Sequence, residues 1–260
     1  MNTNSNTYTV VYSTILVMVV AAVLAFAASS LKSRQDDNVK AETISKIITA
    51  AGLYEEGCDS KAVYAQNLVE AFLVDAAGET VGKLAEGEVK VTSDLKAEND
   101  NIKAGKSVKL PVYKFNVNNE VITVLPCYGA GLWGPIWGYV ALKPDMNTIA
   151  GVVFDHKGET PGLGAKIATE PWFREQFAGK QIAKNGEVVA VSIVKGGAPK
   201  GDINAVDAIS GATITSQALD ATLKIWLGQY KEYIAKCPQP AGEDCCEDEC
   251  ECETSENQED

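Results

Sequence analysis

The sequence predicts an α+β fold: a largely antiparallel sheet with flanking helices, preceded by a single N-terminal transmembrane helix. Three observations carry that prediction. Val10 to Leu31 is apolar and uncharged, short β runs separated by turn residues fill Lys109 to Val194, and apolar residues recur at helical spacing on either side of that region.

The N-terminal run, VVYSTILVMVVAAVLAFAASSL, has no charge before Lys32. At 1.5 Å per residue its length just crosses a hydrocarbon core of ~30 Å. Ala25-Phe26-Ala27 resembles a signal-peptide cleavage site, but the basic n-region of such a peptide is missing, so the run reads as a retained anchor. Lys32 and Arg34 follow the span, diluted at once by Asp36 and Asp37. Taken alone, they place the bulk of the chain in the cytoplasm.

Asn38 to Ala51 reads as a helix, with Ile44, Ile47, Ile48 and Ala51 on one face and Gly52 placed to end it. Ala76 to Gly105, rich in Gly and charge, reads as a surface connection. Val112–Val117 and Glu120–Leu125 flank Asn118-Asn119, a tight turn, and Pro111 and Pro126 mark the pair as edge strands. Trp137–Lys143 and Thr148–Asp155 flank the turn Pro144-Asp145-Met146-Asn147. Glu187–Val194 is a further strand. From Thr215 to Ala235 the period is helical again, with Leu219, Leu223, Trp226 and Tyr230 aligned. The expected organisation is an anchor over residues 1–31, a domain over 32–236, and an acidic, Cys-rich, disordered tail over 237–260.

Charge is uneven. Of 35 acids in the 260 residues, ten fall after Lys236 with no Lys or Arg, leaving 25 acids against 23 bases in the body. Such a body offers no basic footprint for nucleic acid. The single His excludes a His-rich metal site and a multi-His relay. Cys245-Cys246 and Cys250-x-Cys252 could take a soft metal, but the C-x₂-C spacing of zinc sites is absent. Cys58 and Cys127 could pair or stay free.

Three stretches carry chemistry. In Asp207-Ala208-Ile209-Ser210-Gly211-Ala212-Thr213, small residues allow a close approach to a ligand and Gly211 permits a positive φ. The helix that follows presents unsatisfied N–H groups to a phosphate, and the Thr213 hydroxyl is placed to be esterified by it. Glu159-Thr160-Pro161-Gly162-Leu163-Gly164, followed by Lys166, fails both nucleotide-loop spacings and reads as a glycine turn against a ligand edge. Its backbone amides and the Thr160 hydroxyl are the donors. Gly131-Leu132-Trp133-Gly134 to Leu142 places Trp133 and Trp137 among glycines, as core or as a flat face for a planar ring.

DAISGAT resembles the flavinylation motif of the FMN-binding domain family, and ETPGLG resembles the loop that borders the flavin in the same family. The resemblance implies FMN joined by a phosphoester to Thr213, within Ser210, Gly211 and Ala212, by a flavin transferase acting on FAD. It implies a part in that modification for Asp207, and flavin contacts for Glu159, Thr160, Leu163, Gly164 and Trp133. Lys195, in Val194-Lys195-Gly196-Gly197-Ala198-Pro199, is a candidate to sit near the flavin's pyrimidine edge or phosphate. The GLW…GY…AL pattern is similar to the C-type branch of the family, from sodium-translocating NADH:quinone oxidoreductases, rather than to the G-type branch of the Rnf complex. The C-type branch implies a flavin relaying electrons from an iron–sulfur centre to the flavin of a neighbouring subunit. It also implies partner subunits in the inner membrane and a flavin domain on the periplasmic side, against the weak Lys32/Arg34 signal. No residue acts as a general acid or base in this reading. The alternatives are the Rnf-type carrier and a non-enzymatic anchored module with a metal-binding tail.

Overall fold

The computed structural model describes residues 6–85 and 87–237. The chain opens with a single helix, α1 (Asn6–Ala50), which contains neither Gly nor Pro, the common causes of a break. The helix expected to begin near Asn38 is therefore the far end of the anchor helix itself. Its first half leaves the Val10–Leu31 side chains exposed, Phe26 at 76%, and is long and apolar enough to cross a membrane. Its last turns bury Ile44, Ile47 and Ile48. Gly52, at φ +79°, closes it: the Gly52 amide donates to Thr49 O and the Leu53 amide to Ile48 O.

Next come α2 (Ser60–Asn67), capped by the Asp59 carboxylate, and then β1 (Leu68–Val74), β2 (Thr80–Lys83) and α3 (Thr92–Lys103). The last two lie inside Ala76–Gly105, which the sequence presented as a connection. α3 buries only Leu95 and Asn99, so it has no apolar stripe to read. It is started by the Asp94 carboxylate, which accepts from the Val91 amide at 3.0 Å.

β3 (Leu110–Val117), β4 (Glu120–Ala130), β5 (Pro135–Leu142) and β6 (Ile149–His156) complete a six-stranded antiparallel sheet in the order β2-β1-β3-β4-β5-β6. Asn118 and Asn119 both adopt positive φ, the geometry a two-residue hairpin needs. β3 and β4 are central strands, not edges, which corrects the reading of their prolines. The β3–β4 ladder ends at Tyr113↔Val124, so Pro111 and Pro126 lie just past it, where neither strand needs an N–H from the other. The Pro111 carbonyl accepts from the Tyr230 hydroxyl at 2.8 Å.

After β6 come α4 (Lys166–Thr169), α5 (Pro171–Glu175) and the hairpin β7 (Ala183–Lys184)–β8 (Glu187–Val188). The single strand expected over Glu187–Val194 is broken at Ala190, which takes φ +61°. The amides of Val189 and Ala190 both donate to Ile182 O, and the chain resumes as β9 (Ser192–Val194), parallel to β10 (Ala205–Asp207). The final helix is two: α6 (Thr213–Gln229) and α7 (Lys231–Lys236), divided at Tyr230, whose amide donates to both Trp226 O and Leu227 O.

Alternation along the strands feeds two cores, one on each sheet face. Leu125, Cys127, Val140, Leu142 and Phe154 pack with Leu219, Leu223 and Trp226. Tyr113, Phe115, Val124, Tyr139 and Val153 pack with Ile44, Ile47 and Ile48 of α1 and Tyr64 of α2. Cys58, Cys127 and Cys237 are free thiols, and burial pushes that of Cys127 up to about 12. The remaining tail cysteines lie outside the described residues.

Candidate functional site

Three connections converge at one end of the sheet. The first joins β4 to β5, with Ala130 paired to Pro135 and the Gly131 amide donating to Gly134 O at 2.7 Å. The second runs from β6 to α4 and carries Glu159 to Gly164. The third joins β10 to α6. There Ala212 N–H donates to Ile209 O at 3.1 Å, closing a turn in which Gly211 holds φ +80°, a conformation that strains an L side chain. The Ser216 hydroxyl accepts from the Ile209 amide at 3.2 Å and fastens that turn to the helix behind it.

Between them lies a cleft of about 250 Å³, lined by Leu132, Glu159, Thr160, Leu163, Gly164, Gly211, Ala212, Thr213, Ile214 and Thr215. Leu132, Leu163 and Ile214 are exposed apolar walls, 44–56% accessible. Thr213 is half-buried at the first position of α6, preceded by Ala212, which supplies no side-chain cap. The Ala212 N-cap thus offers the first-turn amides of α6 no side-chain acceptor, a place an anionic group would suit. The Leu163 methyl stands 3.0 Å from where a Cβ on residue 211 would sit, so the bend and the apolar wall close on each other. An apolar-walled slot ending in a capless helix start and a hydroxyl fits a planar ring with a phosphate tail.

Seven of the expected residues therefore meet in the cleft: Glu159, Thr160, Leu163, Gly164, Gly211, Ala212 and Thr213. Four do not line it. Trp133 is exposed beside Leu132, with its amide held by Glu159 at 3.0 Å. Ser210 is exposed in the turn, and Lys195 is exposed just after β9. Asp207 accepts from the Ala198 amide at 2.6 Å while its own amide donates to Gln176 Oε1 at 2.9 Å, so it fixes the Lys195–Pro199 turn onto β10. Trp137 turns away altogether, lying 5.5 Å under Lys46 of α1. The Thr160 carbonyl accepts from the amides of Leu163 and, just past the ETPGLG loop, Ala165 at 3.1 Å each, which removes Leu163 from the expected donors. His156 Nδ1 accepts from the Glu159 amide at 3.2 Å.

Thr215 was not anticipated, although it donates to Glu159 Oε2 at 2.6 Å across 56 residues. Its signal was its position two residues past Thr213, on the same helix start. Among the described residues no group of three or more His, Cys, Asp or Glu side chains is placed to hold a metal ion.

Residues 131–228, which contain all three connections, match the family described as FMN-binding domain. The C subunit of the Na(+)-translocating NADH-quinone reductase of Haemophilus ducreyi is 34% identical over 251 residues, covering 92% of this chain and 96% of the relative. That of Vibrio parahaemolyticus is 32% identical over 239 residues, covering 85% and 91%. The chain belongs to this NqrC family. Crystal structures agree: the same reductase component from Parabacteroides distasonis aligns with a TM-score of 0.68 at 36% identity, over 78% of this chain and 96% of that one. NqrC from Shewanella oneidensis aligns at 0.64 and 28% identity, over 76% and 97%. FMN is accordingly the cofactor of the NqrC domain, and the protein is part of an oxidoreductase. The anchored-scaffold alternative and the Rnf-type alternative give way to that membership.

Proposed function

We propose that this chain is the electron-relaying subunit of a sodium-translocating NADH:quinone oxidoreductase, with FMN esterified through its phosphate to Thr213. The single observation that carries the attachment site is the position of that hydroxyl. Thr213 lines the cleft as the first residue of α6, after an N-cap that supplies no side-chain acceptor. When bound, the flavin supplies one-electron redox chemistry. The chain's own residues would hold and orient it: the first-turn amides of α6 would meet the phosphate, Leu132, Leu163 and Ile214 would shield the ring from water, and Gly211 would let the backbone approach it.

In this reading residues 1–31 anchor the subunit in the inner membrane and residues 32–236 form the flavin domain on its periplasmic side. The acidic Cys-rich tail, 237–260, is appended. A flavin transferase loads the cofactor from FAD. Electrons arrive from an iron–sulfur centre and leave to the flavin of a neighbouring subunit. The exposed Val10–Leu31 surface supports the anchor, and the family membership supports the partners.

The test is Thr213→Val co-expressed with a flavin transferase. The parent is expected to give a fluorescent band on a denaturing gel under ultraviolet light and the variant none. A variant band as bright as the parent's places the attachment elsewhere.

A further inference from the structure

Glu159 is only 3% exposed, yet among the described residues it takes part in no ion pair. Burying a carboxylate without a countercharge is unfavourable unless hydrogen bonds replace the lost water. Its two oxygens find one donor each: Oε1 accepts from the Trp133 amide at 3.0 Å and Oε2 from the Thr215 hydroxyl at 2.6 Å. Trp133 and Glu159 belong to two of the connections that enclose the cleft, and Thr215 to the first turn of α6, the helix into which the third connection leads.

The surrounding glycines are shaped to this carboxylate. A Cβ on residue 131 would lie 2.5 Å from Glu159 Oε1, and one on residue 164 would lie 2.5 Å from Oε2 and 2.6 Å from the Thr215 hydroxyl. Gly131 and Gly164 have no positive φ to explain them; at residue 164 the Glu159 carboxylate and the Thr215 hydroxyl fill the space, and at residue 131 the carboxylate shares it with Ile136 Cγ2 at 2.8 Å and Gly134 O at 2.9 Å. A carboxylate is also the side chain of this length that offers two acceptors to two donors; an amide must present a donor to one of them.

We propose that Glu159 is the positioning residue of the cleft: it locks the Gly131–Gly134 connection and the first turn of α6 to its own loop, and so holds Thr213 and the apolar walls in register. It acts through the Trp133 amide and the Thr215 hydroxyl. Its relevance to flavin rests on the FMN reading above, but the lock itself is a property of the chain alone.

The experiment therefore has two arms, both on the full-length chain in detergent. In the first, the protein is made without transferase, and amide hydrogen exchange is followed by mass spectrometry in the parent, Glu159→Ala and Thr215→Val. Glu159→Ala is expected to accelerate exchange roughly tenfold in both the 131–134 connection and the α6 first turn, as loss of hydrogen bonds to a charged acceptor implies. Thr215→Val should accelerate it mainly in the helix turn. Exchange unchanged, or raised only in the Glu159 loop, overturns the proposal. If Glu159→Ala does not fold, Thr215→Val decides the matter through the helix turn: faster exchange there supports the lock, and parental exchange overturns it.

In the second arm, chains co-expressed with transferase are compared by the visible circular dichroism and midpoint potential of their flavin. Glu159→Gln keeps two hydrogen bonds, because the Thr215 hydroxyl can turn to accept. It is expected to preserve the dichroism and to shift the potential positive, since a negative charge beside the ring is gone. An unchanged potential together with altered dichroism contradicts the geometry-preserving role assigned to the pair of bonds. A parent without attached flavin defeats the FMN reading and leaves the exchange result standing.

Discussion

The two faces of the sheet are built from the same strands but differ in what their helices do. On one face α6 lies so close along β4 that a Cβ on Gly129 would collide with the Thr222 hydroxyl, and its first residue is Thr213. On the other, the end of α1 approaches β6, with Ala50 O 2.7 Å from where a Cβ on Gly151 would be. That helix contributes nothing to the cleft. One face therefore sets the geometry of the candidate cleft, and the opposite one joins the domain to the long N-terminal helix. Damage to each face should have separable consequences.

The largest effect is expected from Trp226→Ala, which empties the fully buried centre of the α6 face. It should cost about 3–5 kcal/mol and reduce flavin attachment together with stability. Chemical denaturation followed by far-ultraviolet circular dichroism, with gel fluorescence alongside, checks both. Ile47→Ala on the α1 face should cost about 2–4 kcal/mol by the same measurement yet leave attachment at the parental level in the folded fraction. Equal loss of attachment in both variants would erase the distinction between the faces. The smallest effect belongs to Lys46→Met. Lys46 pairs with Glu42 at 2.6 Å and with Asp155 of β6, but it is partly exposed, so the loss should stay below about 1 kcal/mol and shrink further in salt.

What could be read from the chain in advance follows from how locally each feature is determined. The hairpin at Asn118-Asn119 and the turn at Pro144–Asn147 are set by the residues in them, and both formed where the sequence put them. The aligned Leu219, Leu223, Trp226 and Tyr230 are all buried, because one helical face meets one sheet. α3 was invisible since Leu95 and Asn99 make no stripe, and β2 since its four residues sit on the sheet edge. The break at Ala190 depends on Ile182 O, which lies in another segment. In the site, the loop and helix motifs were legible as small-residue bends. The bond between Glu159 and Thr215 was not, because nothing local to either residue specifies a partner 56 positions away.

One consequence of α1 concerns how the redox group can search for its partners. From Leu31 to Ala50 the helix continues without Gly or Pro for about 28 Å at 1.5 Å per residue, and it ends inside the protein's own core. In the anchored arrangement proposed above, the flavin domain is mounted on a mast rather than moored by a rope. It cannot sweep a hemisphere above the bilayer as a cargo on a disordered leash would. In that arrangement donor and acceptor would be stationed along the narrow arc that bending of a single rod permits.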